Sequence, residues 1–93
     1  MVSQFVVVSY DISDNRRRTK VMKALEGYGM HIQFSVFKCR LKPAEIAEMR
    51  AKLKKLTCRQ DSVRLYFIGA DDVNRIEMIG TVEVTSERMV FLH

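Results

Sequence analysis

Asp11 is the residue with the most evident chemical potential in this chain of 93 residues. It follows the run Phe5-Val6-Val7-Val8-Ser9-Tyr10 and stands shortly before three consecutive arginines, Arg16, Arg17 and Arg18. A carboxylate at a strand end is well placed to hold a hard cation such as Mg²⁺, which prefers oxygen ligands. Guanidinium and ammonium groups nearby bind phosphates. Together these suit phosphodiester hydrolysis, in which a metal ion activates water and neutralises developing charge. A plainer reading stands beside it, because Asp between a strand and a helix often serves only as a turn former or N-cap. One carboxylate is also a thin metal site: Mg²⁺ usually takes one or two, together with waters and substrate phosphates. A two-fold axis passing near Asp11 would bring a second. Two such carboxylates close together without a cation repel, which raises a pKa and makes metal binding pH-dependent.

The elements that would position Asp11 can be read from periodicity. The run from Phe5 to Tyr10 is β-branched and aromatic without alternation, the pattern of a strand buried on both faces and central in its sheet. From about Asp14 to Tyr28 the period becomes helical, with Val21, Ala24, Leu25 and Tyr28 as the apolar stripe. Gly27 and Gly29 supply the stop. Between His31 and Leu41 the strand alternation slips: Ile32, Phe34 and Val36 share one phase, and Phe37, Cys39 and Leu41 the other. A slip of one residue reverses the buried face, so a bulge or tight hairpin is expected near Ser35. Pro43 suits the first turn of a second helix, whose stripe is Ile46, Met49, Leu53 and Leu56. Val63–Ile68 reads as a strand, Val73–Ile79 as a fifth, and the segments 81–84 and 89–92 as a further pair or an extension onto a partner. The order β-α-β-β-α-β with an added C-terminal strand predicts an α+β, ferredoxin-like fold, with residues 1–80 as core and 81–93 as tail. Two helices cover one sheet face, yet both faces of the first strand are apolar. A second copy of the chain is the simplest cover, so a two-fold homodimer is expected.

Composition narrows the function classes. At 93 residues, 47% hydrophobic and 29% charged, the chain suits one ordered domain. No apolar stretch approaches the length of a membrane span, and Phe5–Val8 is too short for a signal sequence, so a cytoplasmic protein is expected. Net charge is +5, unevenly spread: residues 1–60 hold 13 Lys/Arg against 5 Asp/Glu, and residues 61–93 hold 3 against 6. A polyanion on the first part and a different partner on the second would account for this, as would a merely solvated surface. Cys39 and Cys58 fit no metal spacing and read as reduced, packed thiols.

Several blocks together resemble the small CRISPR-associated Cas-two family. They are Val-Val-Ser-Tyr-Asp-Ile-Ser-Asp at 7–14, Arg-Arg-Thr-Lys-Val at 17–21, Leu-Glu-Gly-Tyr-Gly at 25–29 and Gln-Phe-Ser-Val-Phe-Lys-Cys-Arg-Leu at 33–41. Asp61-Ser62-Val63-Arg64-Leu65-Tyr66 continues the likeness, which covers about residues 4–80. The resemblance implies a ferredoxin-like homodimer with Asp11 binding Mg²⁺ at the dimer axis and Tyr10 beside it in the catalytic site. It implies endonuclease activity on single-stranded RNA or double-stranded DNA. It also implies a scaffold role, in which the dimer bridges the CRISPR adaptation integrase and the segment Gly80–His93 docks on it. Arg18 and Lys20 match basic positions of the family's first helix, and Lys20 in place of Arg keeps a phosphate contact without bidentate geometry. Arg16 and Arg17 join them as candidate nucleic-acid contacts, with Lys38 and Arg40 adding to the basic surface. Ser35 and Phe37 fall in the Ser-Val-Phe block and would shape the site. Phe37 reads as core packing, with base stacking as the alternative. His31 matches no role and is taken as structural.

Three classes therefore compete: a metal-dependent endonuclease centred on Asp11, a non-catalytic DNA-binding scaffold, and a generic ferredoxin-like module. An RNA-recognition domain should carry a glycine-punctuated aromatic strand, and Ser35-Val36-Phe37-Lys38 lacks the glycines.

Overall fold

β1 (Gln4–Asp11) is the axis of the molecule, flanked by β3 (Val36–Leu41) and β4 (Ser62–Ile68). A computed structural model describes residues 3–69, 71 and 72 of the chain. The sheet order is β2-β3-β1-β4, with β2 at Gly29–Gln33 and every neighbouring pair antiparallel. Helix α1 (Asn15–Glu26) connects β1 to β2, and α2 (Pro43–Leu56) connects β3 to β4. This is the expected ferredoxin-like β-α-β-β-α-β arrangement. The expected fifth strand, the pairing of 81–84 with 89–92 and the tail 81–93 lie outside the described residues.

Period-two alternation along β1 sorts its side chains. Val6, Val8 and Tyr10 are buried in one cluster with Val21 and Leu25 of α1 and Ile46, Met49 and Leu53 of α2. Phe5, Val7 and Ser9 point the other way and are half-buried. The strand is therefore central, but only one of its faces is under helices; its uniform apolarity reflects a second face that is still open. Along α1, Val21 and Leu25 are buried, whereas the helix ends at Glu26 and leaves Tyr28 beyond it, half-buried. Phe37, Leu25 and Met49 are among the largest fully buried side chains, each contributing about 1.5–3 kcal/mol relative to exposure.

The phase slip resolves into two features. A register shift lies between His31 and Gln33, and residues 34–35 form a two-residue turn into β3. The cysteines divide: Cys39 is buried in β3, where burial pushes its thiol up to about 11, while Cys58 is exposed after α2. The expectation of two packed thiols thus fails at Cys58, which sits in the α2–β4 connection rather than in an element.

Gly29 is set by close approach. A Cβ there would lie 2.5 Å from Cys39 Sγ and 2.5 Å from the Lys38 carbonyl oxygen. Neither strand can give without breaking the Gly29↔Cys39 pairing. Gly29→Ala is expected to lower stability by about 1–3 kcal/mol through overpacking, read as a lower urea midpoint with unchanged m.

Candidate metal and nucleic-acid site

Asp11 ends β1 opposite Ser62, the first residue of β4. Its side chain belongs to the open sheet face, with Ser9 and Arg64 two residues back on the two strands. Ser9, Tyr10, Asp11, Ser62 and Arg64 line a cleft of about 230 Å³. The plainer role of Asp11 is already filled by another residue: Asp14 caps α1, its Oδ2 accepting the Arg17 backbone N–H at 2.8 Å. Asp11 is left exposed, its side chain without a hydrogen bond among the described residues. Among those residues no cluster of three His, Cys, Asp or Glu side chains could hold a metal. Among the described residues the cleft thus holds a single carboxylate, Asp11, beside the Arg64 guanidinium.

Tyr10 precedes Asp11 but faces the opposite way, as strand geometry requires. Its ring is 5% exposed, packs 6.4 Å from the Phe37 ring, and burial raises the phenol pKa despite the opposing influence of Arg18. Its N–H donates to the Ser35 carbonyl at 3.0 Å, which ties the β2–β3 turn to the strand end bearing Asp11. Phe37 is 0% exposed and stacks on His31 at 4.4 Å. The structure therefore places Phe37 in the core, out of reach of a base, as the packing reading expects. His31 is half-buried in the same stack, its Nε2 buried without a partner among the described residues.

The six basic candidates, alike in sequence, fall into three environments. Arg17 forms a two-pronged ion pair with Asp61, Nε to Oδ2 at 2.8 Å and Nη2 to Oδ1 at 3.0 Å. The Cys58 backbone N–H also donates to Asp61 Oδ2, at 2.9 Å, and the Asp61 side chain is 1% exposed. This clamp joins the start of α1, the end of α2 and the entry to β4. Arg18 donates through Nη1 to the carbonyls of Ile12 (2.8 Å) and Ser13 (3.3 Å), and through Nη2 to Asn15 Oδ1. It braces the loop that follows Asp11. Arg16 and Lys20 are exposed and, with Asn15, Thr19 and Lys23, border an open groove of about 490 Å³ on α1. Lys38 and Arg40 lie on the open sheet face, opposite Val7 and Phe5, and the Arg40 guanidinium sits 5.3 Å from the Phe5 ring centre.

Sequence reasoning missed Arg64, Ser62 and Asp61 as site components. The alternation Ser62-Val63-Arg64-Leu65 did carry a signal: the polar phase of a strand covered on one side marks its open face. No pattern in the sequence paired Arg17 with a carboxylate 44 residues away.

The description "CRISPR associated protein Cas2" belongs to the family whose model matches residues 4–76. The chain belongs to that family. Among Cas2 proteins, the CRISPR-associated endoribonuclease Cas2 3 of Synechocystis sp. is 36% identical over 80 residues, covering 85% of this chain and 87% of that protein. The protein of the same description from Chloroflexus aurantiacus is 38% identical over 87 residues, covering 92% and 94%. The crystal structure of Streptococcus pyogenes Cas2 superimposes with a TM-score of 0.76 at 32% identity, covering 82% of this chain and 99% of that one. The family match spans the strand ending in Asp11, both helices and β4, so the chain has the Cas2 fold.

The clamp sets a pH dependence. Hydrogen bonding to Arg17, and then to the Cys58 N–H, holds the Asp61 carboxyl below its ordinary 3.8. A carboxyl lowered in the native state stabilises fully above its unfolded pKa and loses that contribution as pH falls through the native value. The stability difference between wild type and Asp61→Asn is expected to be constant above about pH 5 and to shrink below 3.8, measured by urea unfolding across pH.

Proposed function

We propose that this chain is a metal-dependent endonuclease of the CRISPR spacer-acquisition system, acting as a two-fold homodimer on the phosphodiester backbone of RNA or DNA. The observation that carries the reading is Asp11: an exposed carboxylate, not needed as a cap, in a cleft with Arg64 and Ser62 at the end of the central strand. The endoribonuclease descriptions of the relatives at 36% and 38% identity support the same chemistry. A divalent cation, Mg²⁺ in this reading, would activate water and neutralise charge as water adds to phosphorus and the sugar oxygen departs. The donor set of one chain fits such an ion only as part of a shared site. Asp11 would hold the ion with the partner's equivalent carboxylate, and Arg64 would bind a non-bridging phosphate oxygen. Tyr10, its ring packed in the core, serves Asp11 by fixing the strand end.

The open sheet face supports the dimer. Val7, Val36 and Tyr66 form an apolar band there, with Tyr66 47% exposed. A second copy covering this band would bring the two Asp11 edges towards one axis. Lys38 and Arg40 would then lie at or near that interface, where they bind nucleic acid only from its rim. The residues 80–93 are proposed to dock on the adaptation integrase, a reading that rests on the family resemblance. Among the described residues no helix is long and apolar enough to cross a membrane.

Asp11→Asn is expected to leave folding and oligonucleotide binding intact while abolishing metal-dependent cleavage, a loss of at least a hundredfold if the ion supplies several kcal/mol. Cleavage that survives this change in purified protein would remove Asp11 from the chemistry.

One observation favours the scaffold reading as well. Arg16 and Lys20 border a groove on α1, whereas Asp11 lies on the open sheet face, so binding and cleavage need not share residues. Reversing both charges is expected to lower the salt slope of duplex DNA binding by about 2, at about 0.9 per lost phosphate contact. An unchanged slope would take these residues out of the footprint.

A further inference from the structure

Phe34 is the most exposed large apolar side chain of the described residues, at 62%. It occupies the first position of the two-residue turn between β2 and β3, where Gly, Asn or Asp is the usual choice. Neither turn chemistry nor core packing calls for an aromatic ring there. Its immediate surroundings mix apolar and polar groups, and the exposed cations lie on the neighbouring helix face. With Tyr10, Arg18, Thr19, Met22 and His31 it borders a cleft of about 70 Å³, beside the α1 face that carries Arg16 and Lys20. That volume is too small to admit a nucleobase, so the exposed ring itself is what a base could cover. The Tyr10–Ser35 hydrogen bond extends the β1–β3 ladder beyond Ser9↔Val36. Phe34, the turn residue before Ser35, is thereby held close to the strand end that bears Asp11.

We propose that Phe34 is a stacking platform for an unpaired base, which makes the protein selective for single-stranded nucleic acid or frayed ends. This rests on the nucleic-acid reading above. An aromatic ring stacks on any base, and each such contact is worth about 1–3 kcal/mol by alanine substitution. A paired base in a duplex keeps its faces covered by its neighbours and has none to offer. Because the ring borders the helix-side cleft while Asp11 lies on the open face, the stacked base belongs to a nucleotide other than the scissile one. Phe37, the ring with the better match to the family block, is enclosed and cannot serve. The basic residues alongside favour a polyanion over an apolar protein segment as occupant.

The test uses the full chain in chelator, so that nothing is cut. Its probes are a single-stranded oligonucleotide containing 2-aminopurine and a blunt hairpin duplex of equal length. Phe34→Ala is expected to weaken single-strand binding by about 5- to 150-fold, the same energy expressed as affinity. Duplex binding should change less than about twofold, since stacking makes no contribution there. The fluorescence quenching of 2-aminopurine should be lost in Phe34→Ala and restored by Phe34→Trp. Equal weakening on both probes, or full rescue by Phe34→Leu, would overturn stacking, the latter by showing a generic apolar contact such as protein docking. A wild-type protein that binds no single strand would overturn it too, while leaving metal-dependent cleavage open to assay. Conversely, if Asp11→Asn still cleaves yet Phe34→Ala loses single-strand binding selectively, the platform stands and the metal reading falls.

Discussion

The alternation of β1 is the constraint on which the rest of the site depends. Val6, Val8 and Tyr10 must be under the helices, because the two helices carry the matching apolar stripes and nothing else among the described residues covers them. That requirement alone sends Asp11 to the other face. A slip of one residue would exchange the two sets, placing a carboxylate among Val21, Leu25 and Met49 at a heavy desolvation cost. The free carboxylate and the hydrophobic core are thus two outcomes of a single register, pinned on one side by β3 and on the other by β4.

Around that strand end the chain uses charge in two distinct ways. Arg17 and Arg18 are structural: one joins three elements through Asp61, and the other ties off the loop after Asp11 through carbonyl oxygens. Arg16 and Lys20 extend into solvent beside them. A guanidinium offers five donors in a fixed planar fork, which suits both bidentate carboxylates and paired carbonyls. The loop is therefore braced by the kind of group that also binds phosphate, and a run of arginines conceals this division of labour.

Much of the fold was legible in the sequence because it is encoded locally. The helical period of Val21 and Leu25, Pro43 at the head of α2 and the phase reversal around Ser35 each point to one element, and each element is present. The site was half legible. Asp11 stands out by its place at a strand end, but its plainer role as a cap falls to Asp14, which only the structure shows. What remained hidden was long-range: the pairing of Arg17 with Asp61, the approach of Arg64 to Asp11, and the exposure of Phe34 against the enclosure of Phe37. Both rings share one hairpin, and only the position of the turn decides which of them packs.

The unequal setting of the two cysteines has a practical side. Cys39 is wedged against Gly29 with a thiol held protonated by burial, so it presents almost no nucleophilic thiolate. Cys58 stands in the open, and its own backbone N–H is part of the bond network that closes around Asp61. The natural sequence therefore carries a single addressable thiol beside the junction of α1, α2 and β4. A spin or fluorescent label attached there would report on that junction without any engineered substitution.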